Sequence, residues 1–120
     1  MTAATVAEDF FGAWTGKDFA RARSLLHDDL SFGGPIESFS DADSYLASLQ
    51  QLSGIVTGAE KQKVFADGDD VCVIDDLKTA PVPMSRTCEW YRLRDGKIAS
   101  VSAVFDVRPF AAMFEGHQGQ

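Results

Sequence analysis

The 120-residue sequence predicts a single α+β domain over residues 1–120, with three amino-terminal helices packed on an antiparallel sheet. Three observations carry this prediction. Apolar residues recur at helical spacing up to Gly54 and alternate as in strands from Ile55 onward. The dipeptide Asp95-Gly96 tolerates positive φ and favours a two-residue hairpin turn between the last two strands.

The first two helices are predicted from capping signals. Thr5 and Glu8 have the spacing of a capping box, and Gly16 ends the helix that they open. Asp18 is the predicted cap of a second helix that runs up to His27. The apolar stripes of the two helices are Val6, Phe10, Ala13 and Trp14, then Phe19, Ala22, Leu25 and Leu26.

Glycine and proline separate the third helix from what precedes it. Leu30–Pro35 contains two glycines before its proline, so it is predicted to be a short strand that runs into a loop. Acidic residues after Ser40 then mark the start of a third helix, which ends near Gly54. Its buried side is predicted to be Tyr45, Leu46, Leu49 and Leu52.

Four successive strands are predicted in the second half. The first two are Val56–Ala66 and Val71–Thr79, and Ala80–Pro83 connects the second to the closing hairpin, because its prolines cannot join a central ladder. The hairpin occupies Met84–Val107. After Pro109, residues Phe110–Phe114 are predicted to form a short apolar turn.

The hairpin predicts which side chains share a face. Regular pairing across Asp95-Gly96 sets Trp90 opposite Val101 and Arg86 opposite Phe105. One largely apolar face then consists of Cys88, Trp90, Val101, Ala103 and Phe105, and we expect it to line a cavity. The other face carries Glu89, Tyr91, Ser100, Ser102 and Val104, of which the first four are the predicted dimer contact.

Composition excludes several classes of function. A net charge of -7 without a basic cluster argues against binding to nucleic acid. The amino terminus lacks a signal-peptide pattern and no apolar run could span a membrane, so we expect a cytoplasmic protein without a membrane partner. Two His and two Cys without ligand spacing predict no metal site, and no cofactor motif is present.

The two cysteines, Cys72 and Cys88, are predicted to face each other across a β ladder if the connection is symmetric about Ala80. A disulfide is geometrically possible there. Cytoplasmic chains more often keep such residues as small apolar thiols, which is the state we expect.

The sequence resembles the nuclear transport factor two-like superfamily, specifically its SnoaL-like branch, which also includes the ketosteroid isomerases. The resemblance is carried by FFGAWTGKD at 10–18, HDDLSFGGP at 27–35, YRLRDGKI at 91–98 and the Phe105-Asp106 pair, whose Asp106 is expected to close the last strand. It implies a cone-shaped fold in which a strongly curved sheet wraps over the helices and encloses a pocket. It also implies a homodimer through the outer sheet face.

The resemblance does not carry over the isomerase chemistry. Phe10 stands where those enzymes have a tyrosine, Gly34 where they have the general base, and Cys88 where they have a protonated aspartic acid. Moving a proton next to a carbonyl needs both a base and an oxyanion donor. Any enzyme activity must therefore use other residues.

Asp75, Asp76 and Arg86 are the candidate catalytic residues. Neighbours on a strand point to opposite faces, so one of the two aspartates should face the pocket, and the sequence does not decide which. An inward carboxyl could act as an acid or base, whereas both could equally be solvated beside Lys78. Arg86 could bind a ligand carboxylate, pair with an aspartate or reach water.

Aromatic residues from helices and sheet are the candidate pocket walls, although such residues are also ordinary core. The predicted substrate-binding set is Trp14, Phe32, Tyr45, Cys88, Trp90, Val101 and Phe105. His27 is assigned a structural role at a helix end, and His117 none. The sequence thus predicts a small hydrophobic ligand, with an isomerase-, lyase- or hydrolase-type activity or, alternatively, a non-catalytic dimeric binding or scaffold module.

Overall fold

Three helices pack on one face of a six-stranded, curved and unclosed sheet, which confirms the predicted α+β class. The structure is a computed structural model, and it describes residues 1–110. The helices are α1 (Ala3–Thr15), α2 (Phe19–Ser24) and α3 (Ala42–Ser53). The strands are β1 (Leu26–Gly33), β2 (Ser38–Phe39), β3 (Val56–Asp67), β4 (Asp70–Thr79), β5 (Ser85–Arg94) and β6 (Lys97–Phe105), and a short 3-10 helix follows at Arg108–Phe110.

The helix starts follow capping chemistry, with two corrections to the predicted boundaries. Thr2, rather than Thr5, caps α1 by accepting a hydrogen bond from the Thr5 amide at 3.1 Å. Asp18 caps α2 as predicted, but α2 ends at Ser24. His27 therefore lies in β1 and not at a helix end, because Leu26 pairs in parallel register with Ile98 of β6.

The sheet order is β2-β1-β6-β5-β4-β3. Strands β3 to β6 form an antiparallel meander, and β1 is the parallel neighbour of β6. The pairing of β1 with β6 was not predicted, and it makes the sheet mixed. Register shifts interrupt β1, β3 and β6, and such bulges bend the strands that carry them. The bent sheet curls over the helices, which leaves space between the two layers.

One of these bulges corrects the predicted register of the closing hairpin. Arg94 pairs with Lys97 and Leu93 with Ile98, but Arg92 pairs with Ser100, so Ala99 is an extra residue. Beyond the bulge, every β6 residue lies opposite the β5 residue next to its predicted partner. The inner face of β5 consequently carries Thr87, Glu89 and Tyr91, whereas Cys88 and Trp90 point outward.

The core lies between the helices and the inner face of the sheet. Phe10 of α1 is fully buried, and its ring contacts those of Tyr45 and Tyr91 at centroid distances of 6.1 and 5.9 Å. Val71, Val73 and Val101 are buried beside them on the sheet. Within residues 1–110, no helix combines the length and the apolar character that a bilayer crossing requires.

Candidate functional site

An apolar cavity of about 340 Å³ opens between α3 and the inner face of the sheet. This volume is in the range of small-molecule sites. Trp14 of α1, Phe32 of β1 and Tyr45 of α3 form part of its aromatic wall. Its other lining residues are Gly34, Pro35, Ile36, Glu37, Ser48, Leu49, Gln51, Leu52, Ile55, Leu77, Ser85, Thr87, Glu89, Tyr91, Ala103, Phe105 and Phe110.

Stacking of aromatic rings fixes one side of this wall. The Phe32 ring lies 4.6 Å from the Tyr45 ring and 6.0 Å from the Phe39 ring, with interplanar angles of 20° and 29°. Rings in such offset stacks hold one another in place and present apolar faces. The wall from β1 and α3 is therefore a preformed surface.

Two carboxyl groups lie together at the polar end of the cavity. Asp75 of β4 is 1 % exposed, and its neighbour across the sheet is Thr87 of β5. Glu89 lies two residues further along β5 on the same face, and it lines the cavity. Asp75 is thus the aspartate that faces inward, and Asp76 faces outward.

Thr87 connects the two carboxyl groups. Its Oγ1 lies 2.7 Å from Asp75 Oδ1 and 3.3 Å from Glu89 Oε1. A hydroxyl has one hydrogen to donate, so it can serve only one of the two carboxyl groups at a time. Among the described residues, Asp75 Oδ2 and Glu89 Oε2 are buried without a hydrogen-bond partner.

The surroundings of Glu89 favour its neutral form. Burial raises the pKa of Glu89 well above its usual value, and the hydrogen bond and charge of Asp75 raise it further. A protonated Glu89 can donate to Asp75, which removes the repulsion that two adjacent carboxylates would have. Glu89 is therefore a proton donor placed on the wall of an apolar cavity.

Two tyrosine hydroxyls extend the polar end. Tyr91 of β5 is fully buried, lines the cavity, and its hydroxyl has no hydrogen-bond partner among the described residues. Burial raises the pKa values of Tyr91 and Tyr45. Both phenols consequently stay neutral at physiological pH and can donate a hydrogen bond to a bound molecule.

Four of the predicted site residues lie on the outer sheet face, away from this cavity. Arg86 donates through Nε to Asp76 Oδ1 at 2.8 Å and through Nη2 to Asp76 Oδ2 at 3.0 Å. This bidentate pair lowers the pKa of Asp76 and raises that of Arg86. The predicted placement of Arg86, Cys88 and Trp90 on the pocket face was wrong, because the prediction lacked the bulge at Ala99 and the matching register of β4 with β5, and Asp76 is the one of the two candidate aspartates that faces outward.

The cysteines are also on the outer face, as free thiols. Cys72 lies opposite Trp90 and Cys88 opposite Ile74, so the two are diagonal neighbours, with their sulfurs 3.4 Å apart. Burial and the contact with Cys72 raise the pKa of Cys88 to about 11. A thiol with this pKa is a poor nucleophile at neutral pH.

The remaining predicted wall residues lie on the inner side of the sheet. Trp14, Phe32, Tyr45 and Phe105 line the cavity. Val101 is 2 % exposed and belongs to the core opposite Tyr91. The prediction missed Thr87, and its assignment of Glu89 and Tyr91 to the dimer contact on the outer face was wrong, since both line the cavity.

The three positions that correspond to catalytic residues of the ketosteroid isomerases do not supply those catalytic groups here. Phe10 is in the core and Gly34 is on the cavity wall, so neither supplies a hydroxyl or a carboxyl group there. Cys88, compared with the protonated acid, points out of the pocket, and its neighbour Glu89 points in. The described residues contain no cluster of three or more His, Cys, Asp or Glu that could hold a metal ion. His117 and the predicted turn beyond Phe110 lie outside the described residues.

Comparisons with known proteins agree on the fold. A family model described as SnoaL-like domain matches residues 7–101. A Kribbella flavida protein, described as of known function, is 26% identical, with a TM-score of 0.87 over 98% of this chain and 97% of that chain. No curated protein matches the chain.

Two further solved structures have the same fold at lower identity. A nuclear transport factor two-like protein of unknown function from Cytophaga hutchinsonii is 24% identical, with a TM-score of 0.82 over 92% of this chain and 96% of that chain. An LEH-like epoxide hydrolase from M. tuberculosis is 24% identical, with a TM-score of 0.76 over 95% and 90%. These likenesses show the fold alone.

Proposed function

This chain belongs to the family of SnoaL-like domains, and on that premise we propose that it binds a small hydrophobic molecule and exchanges a proton with it through Glu89. One observation carries the proposal: the Glu89 carboxyl group, with Asp75 beside it, is on the wall of a largely apolar cavity. Burying a carboxyl group is unfavourable, and acids kept in such places are typical of functional sites.

Each polar group has a role in this proposal. Glu89 gives up or takes the proton, and Asp75 holds its pKa high through their shared contact. Thr87 orients the Asp75 carboxyl group, and the Tyr91 hydroxyl is available to donate a hydrogen bond to the bound molecule. Proton transfer of this kind suits an isomerase-, lyase- or hydrolase-type enzyme. The M. tuberculosis relative is described as an epoxide hydrolase, which is one such class.

Filling the cavity tests whether it binds anything. Ala103 lines the cavity, so Ala103→Leu should occupy part of it, and its neighbour Val104 is exposed on the outer face. A thermal-shift screen of hydrophobic alcohols, lactones and steroid-like compounds should find compounds that stabilise the natural chain. Ala103→Leu should lose that stabilisation and the control Val104→Leu should keep it. Equal responses of the two variants would contradict binding in the cavity.

Removing the titratable proton tests catalysis on any compound that binds and is converted. Glu89→Gln keeps the shape of the side chain and should lower turnover by about a hundredfold or more. Asp76→Asn, on the outer face, should leave turnover within a fewfold of the natural chain. Full turnover in Glu89→Gln would remove Glu89 from the reaction.

A non-catalytic dimeric binding or scaffold module is the competing function. The outer sheet face supports it, because Phe65, Trp90 and Val104 are exposed there at 55%, 44% and 67%. We propose that two copies pair through this face, in line with the homodimer that the family resemblance implies. Formation of a dimer is compatible with both functions, so the thermal-shift experiment on the cavity distinguishes them. If no compound stabilises the chain and the chain forms a stable dimer, the scaffold function is favoured.

A further inference from the structure

The charges around the cavity restrict what it can hold. Its described lining includes two acids, Glu37 and Glu89, and no Lys, Arg or His. Arg86, the one basic residue that the sequence placed there, is bound to Asp76 on the other face of the sheet. Lys61 lies opposite Asp75 in the β3–β4 ladder, but its ammonium is 2.8 Å from Glu8. An anionic ligand would therefore meet acids without a compensating cation.

The unpartnered atoms at the polar end point to the same restriction. Asp75 Oδ2 and Glu89 Oε2 are buried, and no other described residue donates to them, so the Glu89 proton is the one hydrogen available to both; the Tyr91 hydroxyl can also accept. A ligand carboxylate would bring only further acceptors. An ammonium group brings three donors and no acceptor, which complements this set.

Aromatic side chains make up much of the remaining wall. Trp14, Phe32, Tyr45, Tyr91 and Phe105 come from both layers of the fold. The faces of such rings carry partial negative charge and attract cations within about 6 Å. An acid at the end of an aromatic cavity is the arrangement that recognises an organic cation with an apolar body.

We propose that the molecule bound in this cavity is a hydrophobic amine, held as an ammonium against Glu89 beside Asp75. This inference rests on the proposed ligand-binding function and adds its chemical class. The proton balance is simple: an incoming ammonium displaces the Glu89 proton to solvent, whereas a neutral amine takes that proton. In both cases an ammonium–carboxylate pair forms and no other bond changes. The ammonium takes the place of the Glu89 proton beside Asp75. The net charge of the site is therefore the same before and after binding.

Three probes with one apolar body test the charge preference. They are 2-(1-naphthyl)ethylamine, 2-(1-naphthyl)ethanol and 1-naphthaleneacetate, with dissociation constants measured by calorimetry at pH 7. The amine should bind about tenfold tighter than the alcohol, as a charge-assisted hydrogen bond allows, and the carboxylate should not bind. Glu89→Gln should remove the advantage of the amine and leave the alcohol within about threefold of its original affinity, because the apolar contacts remain.

The outcomes separate this inference from the function on which it rests. Binding of the alcohol equal to or tighter than that of the amine, or any binding of the carboxylate, would overturn the amine assignment and leave the ligand-binding pocket standing. No binding by any of the three would overturn both. The comparison among probes uses the natural chain, so it remains informative if Glu89→Gln fails to fold. Glu37→Gln then provides a second variant, which should lower the advantage of the amine only slightly relative to the natural chain, since Glu37 is hydrogen-bonded to Ser48 at 2.9 Å.

Discussion

The Thr87 hydroxyl oxygen lies 2.7 Å from Asp75 Oδ1, within a buried ladder that joins β4 to β5. This contact holds the Asp75 carboxyl group on the inner face of the sheet, where it affects the charge of Glu89. The Thr87 hydroxyl thereby positions the Asp75 carboxyl group, which lies beside Glu89 but does not itself line the cavity.

Thr87→Val should destabilise the chain although it preserves the shape of the side chain. It leaves buried Asp75 Oδ1 without its donor, and the free energy of unfolding should fall by about 1–3 kcal/mol. Urea denaturation at pH 7 measures the change. Thr87→Ser retains the hydroxyl and is the matched control, with a smaller loss. Equal stability of Thr87→Val and the natural chain would show that the hydroxyl does not support Asp75.

Glu89 makes stability depend on pH in a direction that can be worked out. Its pKa is raised in the folded chain and returns to its usual 4.5 on unfolding, so the folded chain holds a proton that the unfolded chain releases. This contribution is complete below pH 4.5 and is lost as the pH rises towards the folded-state pKa. The free energy of unfolding of the natural chain, relative to Glu89→Gln, should therefore fall with rising pH, by at most about 1.4 kcal/mol per pH unit.

Asp76 provides the control of opposite sign. The Arg86 guanidinium lowers the pKa of Asp76 below its usual 3.8, so this contribution is present above pH 3.8 and is lost as the pH falls further. Asp76→Asn should thus lower the free energy of unfolding by a constant amount above pH 3.8, and its difference from the natural chain should shrink as the pH falls below that value. A stability difference between the natural chain and Glu89→Gln that is independent of pH would contradict the neutral form of Glu89.

The fold was predictable because its signals are local. Capping residues such as Asp18, helical stripes such as that of Phe10 and the turn at Asp95-Gly96 each act within a few residues. These signals are repeated along the chain and agree with one another. The predicted element order consequently matches the structure, apart from the early end of α2, the short strand β2 and the pairing of β1 with β6.

The candidate site was not predictable to the same degree, since it depends on one residue of register. A shift by one residue exchanges the two faces of a strand, and no local signal distinguishes Ala99 from a regular strand residue. The prediction therefore placed Val101, Ala103 and Phe105 on one side together with Cys88 and Trp90. Asp75 and Asp76 could not be distinguished for the same reason, because the register of β4 with β5 is set across the irregular connection at 80–83.

Deleting Ala99 tests the importance of this bulge. Without the extra residue, regular pairing would turn Val101, which is 2 % exposed, away from the core, or else force the turn at Asp95-Gly96 out of its favoured geometry. We expect a loss of about 3 kcal/mol or more, comparable with removal of a large core side chain. Thermal and urea unfolding followed by circular dichroism measure it. Ala99→Gly keeps the residue count and should cost about 1 kcal/mol or less; similar losses in the two variants would show that the bulge does not set the register.

The outer sheet face makes a prediction about oligomeric state. Phe65 lies opposite Cys72, Cys72 opposite Trp90 and Cys88 opposite Val104, so these side chains form one surface across β3 to β6. In a two-fold dimer both copies contribute the same surface to the interface. Val104→Lys would therefore place two ammonium groups there, which is unfavourable. Light scattering coupled to size exclusion should show a dimer for the natural chain and a monomer for Val104→Lys. Met84→Lys, at an exposed apolar residue before β5, is the control and should remain a dimer. A monomeric natural chain at the highest concentrations used would rule out pairing through this face.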